Sequence, residues 1–185
     1  INAELLRIFM KPEHKILMAN YWQFCNSYWG MIRSQEDFMM HNYQYPIHYI
    51  KRPNYYTFEL YQKHFGSELI TADVRCGFYK EKEFSIPYLS VNASSNIDKS
   101  KIYLMVVNKN LDQAITATLD LKDFNPSRKG EAWVLNGPNI DATNEDNPNN
   151  VKVINKGFDI KNNFFEFTFE PHSLTAIEIT RCNDE

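Results

Sequence analysis

Past Gly66 the hydrophobic pattern of this chain changes period, and that switch restricts the fold more than any other feature. From there to the C-terminus short apolar or alternating stretches follow one another at 69–78, 88–92, 102–108, 114–121, 131–135, 151–154, 164–169 and 173–180. Turn-formers separate them: Ser94-Ser95-Asn96, Asn108-Lys109-Asn110, Asn125-Pro126, Asn136-Gly137-Pro138 and Glu170-Pro171. In 114–121 the residues Ile115, Ala117, Leu119 and Leu121 share one face, with Thr116, Thr118 and Asp120 opposite. Many short strands at such spacing predict an antiparallel β-sandwich, jelly-roll-like in form, or a barrel-like sheet.

The first 66 residues read differently. Asn2 is placed to cap a short helix through Leu5, Leu6, Ile8, Phe9 and Met10, apolar on most of its circumference and ended by Pro12. Glu13, His14 and Lys15 then lead into Ile16, Leu17, Met18 and Ala19, a run of the kind expected for a strand covered on both faces. Helix, polar loop and buried strand make one step of an α/β layer. After Gly30 the segment 31–51 follows neither period and is expected to be a long ordered loop. Its His41 and His48 lack a second carboxylate or cysteine at metal spacing, so packing or surface roles are expected. Pro53 opens a second helix over 54–65, closed by Gly66, with Tyr55, Phe58, Tyr61 and Phe65 forming its inward stripe. Two domains are therefore expected, 1–66 and 67–185.

Between these elements residues 16–30, ILMANYWQFCNSYWG, change from apolar to amide and aromatic. Asn20, Gln23 and Asn26 sit among Tyr21, Trp22, Phe24, Tyr28 and Trp29. Uncharged hydrogen-bonding groups beside flat rings are what a sugar requires of a site. An aromatic content of 15 % agrees with that chemistry, although an aromatic core gives the same figure.

The spacing Ala19-Asn20-x-x-Gln23-x-x-Asn26 resembles the A-N-x-A-Q-x-V-N pattern at the last barrel strand of the glycoside hydrolase family 51 α-L-arabinofuranosidases, with Trp22 and Cys25 in place of small residues. RPNYYTFELYQKHFG resembles that family's last barrel helix, with Pro53, Tyr55, Phe58, Tyr61 and His64 at matching places. YLMVVNKN, AWVLNGPNIDATNEDNP and FEPHSLTAIEI resemble its C-terminal β-sandwich. The resemblance implies the last helix-strand-helix piece of a (β/α)₈ barrel followed by a sandwich. It further implies retaining hydrolysis of terminal arabinofuranosyl groups by a parent enzyme. Gln23 would hydrogen-bond the sugar, Asn26 would brace the loop, and Trp22, Tyr28 or Trp29 would line the pocket. The partners implied are an arabinose-containing oligo- or polysaccharide and the remainder of the barrel, with assembly into a homo-oligomer expected.

Retaining glycosidases need two carboxyls about 5 Å apart. The family's pair falls upstream of Ile1, and no glutamate here is marked as one of a pair, so no catalytic residue is expected in this chain. Neither metal nor cofactor is expected: no Gly-rich phosphate loop occurs, and the polar run 139–150 lacks the ligand order of a calcium loop and reads as solvated. His172-Ser173 lacks a nucleophile elbow. The three cysteines are far apart and odd in number, and are expected to be unlinked. A net charge of −3 without a Lys/Arg cluster argues against nucleic acid, and no apolar run has the length of a membrane span. The first residue is Ile rather than Met, so a missing natural N-terminus is expected and the compartment, cytoplasmic or secreted, stays open. Two other readings need no catalysis: a carbohydrate-binding sandwich using Trp133 and the Tyr-rich segment 43–56, or a structural module that packs on the barrel and supports oligomerisation.

Overall fold

The structure, a computed structural model, describes residues 1–26, 29–34 and 49–182. The readings made for Tyr28, His41, His48 and residues 43–48 of the Tyr-rich segment lie outside the described residues. In chain order the elements are α1 (Asn2–Phe9), β1 (Ile32–Ser34), β2 (Tyr49–Lys51), α2 (Pro53–Lys63), β3 (Glu68–Ile70), β4 (Phe78–Glu81), β5 (Phe84–Pro87), β6 (Leu89–Ser95), β7 (Lys101–Asn108), β8 (Ile115–Asp120), β9 (Pro126–Asn136), β10 (Lys152–Asp159), β11 (Phe164–Phe169) and β12 (Leu174–Arg181).

A six-stranded antiparallel sheet in the order β10-β9-β12-β7-β6-β3 forms the centre. One face carries the β8/β11 pair. Phe165, Phe167 and Phe169 of β11 lie opposite Leu119, Ala117 and Ile115 of β8, and these residues pack onto Ala93, Leu104, Ala132, Ile177 and Ile179 of the larger sheet. The intervening Phe164, Glu166 and Thr168 face outward, so alternation decides which side chains enter the core. The other face carries the helices. Met105, Leu135, Leu174 and Ala176 pack against Leu60 and Tyr61 of α2 and Ala3 of α1. β7 is covered on both faces, and its sequence from Ile102 to Val107 is a continuous apolar run. The expected mainly β, antiparallel sandwich fold is what the chain adopts.

The structure corrects several local expectations. Residues 16–19 form no strand: Leu17 is fully exposed and Met18 77 % exposed, and no ladder partner exists for them among the described residues. An apolar run becomes a strand only where another strand accepts its hydrogen bonds. The ends of the expected long loop instead pair, as β1 with β2 in the register Ile32↔Lys51, Arg33↔Ile50 and Ser34↔Tyr49. Asn2 lies inside the first turn of α1 and makes no capping bond, since Ile1 occupies the cap. Of the expected stripe Tyr55, Phe58, Tyr61 and Phe65, Tyr61 is buried and Phe65 packs against the same core, but Thr57 and Leu60 complete the buried face in place of Tyr55 and Phe58. Gly66 does not cap α2. Its N–H donates to Ser94 Oγ at 2.8 Å, and a Cβ there would collide with the Ser95 carbonyl, so close approach to β6 explains the glycine.

Candidate functional site

Residues 21–26 and 29–30 form the described part of a strap across the N-terminal end of α2. Asn26 N–H donates to Ile32 O at 3.0 Å and Ile32 N–H to Phe24 O at 2.9 Å, which joins the strap to β1. Gly30 sits at the tightest point: an added Cβ would strike the Asn26 nitrogen and Cys25 carbonyl carbon. The aromatic residues tie the strap to the helix. The Tyr21 ring meets Phe58 edge-on at 5.5 Å, and Phe24 lies 6.2 Å from Tyr55. Tyr21 Oη donates to Trp29 O at 3.2 Å and accepts from Asn54 Nδ2 at 2.6 Å. The helix read as structural in the sequence therefore fixes the strap.

Of the sequence-derived site residues, Gln23 has the most unusual setting. Its φ is 63°, a left-handed conformation that costs a non-glycine residue about 1–3 kcal/mol. Its side-chain Oε1 is buried and has no hydrogen-bond partner among the described residues. A buried acceptor left so costs about 1–3 kcal/mol, and a ligand hydroxyl would relieve it. Trp22 and Trp29 are 74 % and 59 % exposed, with rings stacked at 6.4 Å and 30° between planes. They offer adjacent flat faces of the kind on which the C–H side of a sugar ring packs. Asn26 Oδ1 accepts from Trp29 N–H at 3.2 Å, so its side chain holds the strap's return.

Four further residues complete the site, and none of them is marked by its local sequence. Arg52, at the cap of α2, donates through Nη1 to Gly30 O at 2.9 Å and to Asn26 O at 3.4 Å. Its Nε donates to Glu145 Oε1 at 2.7 Å, and Arg33 Nη1 donates to Glu145 Oε2. Burial pushes the Glu145 carboxyl pKa up, but hydrogen bonds and charge from Arg52 and Arg33 outweigh it and hold the pKa below its ordinary value. Asn144 beside it is fully buried: Nδ2 donates to Lys51 O and Val151 O at 2.8 and 2.9 Å, and Oδ1 accepts from Val151 N–H at 2.7 Å. The polar run 139–150 is therefore not simply solvated. Its middle is locked between β2 and the start of β10 by the Asn144 amide, which both donates to and accepts from backbone.

Trp133 does not offer the exposed platform that a binding sandwich would use. Its ring stacks on His64 at 3.7 Å, on the helix side of the sheet. Ser173 is buried, with its hydroxyl donating to Glu170 O at 2.7 Å. Among the described residues no group of three His, Cys, Asp or Glu is placed to hold a metal ion.

The model of the alpha-L-arabinofuranosidase C-terminal domain family matches residues 1–173. The family 51 alpha-L-arabinofuranosidase of Thermotoga petrophila RKU-1 is 26 % identical with a TM-score of 0.80, over 96 % of this chain and 37 % of that one. The alpha-L-arabinofuranosidase of Thermotoga maritima, solved as an arabinose complex, is also 26 % identical, with a TM-score of 0.81 over 97 % of this chain and 37 % of that one. The family 51 arabinofuranosidase of Xanthomonas axonopodis pv. citri shares the fold at 18 % identity, with a TM-score of 0.79 over 97 % of this chain and 34 % of that one. No curated protein matches the chain. The chain thus spans little more than a third of the length of the solved enzymes it resembles.

Proposed function

Since the chain belongs to the alpha-L-arabinofuranosidase C-terminal domain family and matches the C-terminal portion of family 51 enzymes, we propose that it serves an α-L-arabinofuranosidase as the segment that binds and orients the sugar. In this reading the parent enzyme removes terminal α-L-arabinofuranosyl groups from arabinan or arabinoxylan fragments with retention. Gln23 hydrogen-bonds the furanose, Trp22 and Trp29 line the pocket, and Asn26 keeps the strap in place. Holding the anomeric carbon against reacting groups supplied by the barrel is how such residues contribute to rate.

The observation that carries the reading is the Gln23 side-chain oxygen, buried and without a partner among the described residues, on a strained backbone next to two exposed tryptophans. Strain and an unsatisfied acceptor at one residue persist where a ligand uses them. The two carboxyls of a retaining mechanism are assigned to the barrel, and the environment of the glutamates here supports that. Glu4 pairs with Arg7, Glu59 with Lys63, Glu145 with Arg52 and Arg33, and Glu178 with His64 and Lys101.

The test is hydrolysis of p-nitrophenyl α-L-arabinofuranoside. The enzyme carrying this segment should turn it over, and Gln23→Ala should lower kcat/KM by about a hundredfold while leaving the thermal transition in place. The purified 185-residue chain should give no turnover. Activity of that chain alone, or a Gln23→Ala enzyme as active as wild type, would refute the assignment.

A further inference from the structure

Glu145 belongs to the sandwich by sequence, in the loop between β9 and β10, yet its carboxylate is turned toward the strap. Through Arg52 it is one residue removed from the backbone carbonyls of Asn26 and Gly30, which bracket the turn carrying Trp29. Arg52 N–H also donates to Met31 O at 2.9 Å, so this one residue grips the strap's return with backbone and side chain. The Arg52 side chain is 14 % exposed and Glu145 26 % exposed, so the pair is partly shielded from water and screened less than a surface bridge. Behind Glu145 the loop is fastened to the sandwich core by the three Asn144 bonds. A continuous path of hydrogen bonds thus runs from Val151 in the core, through Asn144, the adjoining Glu145 and Arg52, to Asn26, three residues from Gln23.

We propose that Glu145 is a positioning residue for the sugar site: the sandwich, through this carboxylate and Arg52, sets where Gln23 and Trp29 stand. The inference rests on reading the strap as sugar-facing. It gives the sandwich a part in substrate affinity, beyond packing on a barrel or supporting assembly. The aromatic pairs Tyr21–Phe58 and Phe24–Tyr55 hold the strap's outgoing arm to α2. The returning arm, which carries Trp29 and Gly30, is the part that Arg52 and Glu145 hold. Removing the carboxylate takes away the Glu145 bond that aims the Arg52 side chain at the two carbonyls, and the sugar then meets a site that must first be ordered.

Kinetics of the full-length enzyme on p-nitrophenyl α-L-arabinofuranoside test this, comparing wild type, Glu145→Ala, Glu145→Gln and Glu178→Gln. Glu178 also joins α2 to the sandwich, through His64, but at the C-terminal end of the helix, whereas the strap meets its N-terminal part. Glu145→Ala should raise KM by about tenfold with a smaller change in kcat, and Glu145→Gln, which keeps one acceptor, should fall between it and wild type. Glu178→Gln should lower the thermal transition and leave KM at the wild-type value. Should Glu145→Ala fail to fold, Glu145→Gln carries the same comparison. Wild-type KM in the Glu145 variants, or an equal rise in Glu178→Gln, would overturn the inference alone. A wild-type enzyme that leaves the arabinofuranoside intact would overturn the reading of the strap and this inference with it.

Discussion

His64 Nδ1 and Glu178 Oε1 lie 2.8 Å apart, joining the C-terminal end of α2 to the middle of β12, and Trp133 stacks on the imidazole at 3.7 Å. A carboxylate oxygen at that distance accepts, so Nδ1 carries the proton. Lys101 Nζ stands 3.5 Å from the second oxygen. At one end of α2 the helix is thus pinned to the sheet, while its other end holds the strap.

Glu178→Ala is expected to lower the free energy of unfolding by about 1.5–3 kcal/mol, the range for a shielded hydrogen bond to a charged group. Urea denaturation followed by tryptophan fluorescence measures it and at the same time reports the loosening of Trp133. An unchanged midpoint and spectrum would mean that the contact adds nothing to stability.

The acid side of the stability curve should report Glu145. Burial raises its pKa, Arg52 and Arg33 lower it by more, and the net value lies below the ordinary 4.5. A carboxyl depressed on folding adds stability that is complete above its unfolded pKa and is lost as the pH falls through its folded pKa. The stability gap between wild type and Glu145→Gln, present at neutral pH, should therefore close as the pH falls below 4.5. Parallel curves down to strongly acid pH would contradict it.

Gly30→Ala tests the tight turn. The new Cβ meets backbone atoms of residues 25, 26 and 32 rather than flexible side chains, so neither side can yield cheaply. A loss of about 1–3 kcal/mol is expected, with amide shifts confined to the strap and β1. Shifts spread over the sandwich would mean that the strap is not a separate unit.

How much of this was legible in the sequence depends on the distance over which each feature is determined. Strand β11 was read at its full length, 164–169, because alternation of Phe with polar residues is a local signal that the pleat converts directly into a buried and an exposed face. The same logic located β7, β8 and β12. Residues 16–19 misled because an apolar run states a need for cover without saying whether a partner strand is at hand. Glu145 was invisible for the opposite reason: a glutamate in an Asn-rich loop looks solvated, and only the fold brings Arg33 and Arg52, 112 and 93 residues away, to its two oxygens. Gln23 was identified through the family spacing, but its strained φ and unpartnered oxygen are three-dimensional facts.

Exposed apolar residues in the N-terminal part predict self-association of the 185-residue chain. Leu17 is fully exposed, Met18 77 %, Leu5 43 % and Phe24 59 %. Sedimentation velocity should show concentration-dependent association that Leu17→Lys with Met18→Lys relieves. A monodisperse wild-type monomer over the same range would contradict it.

The most direct test of the account is a crystal structure of the enzyme carrying this segment, soaked with L-arabinose. A sugar hydroxyl is expected within about 2.7–3.2 Å of the Gln23 side-chain amide, with Trp22 or Trp29 against the ring. A sugar bound elsewhere, with the Gln23 oxygen still unpartnered, would contradict it.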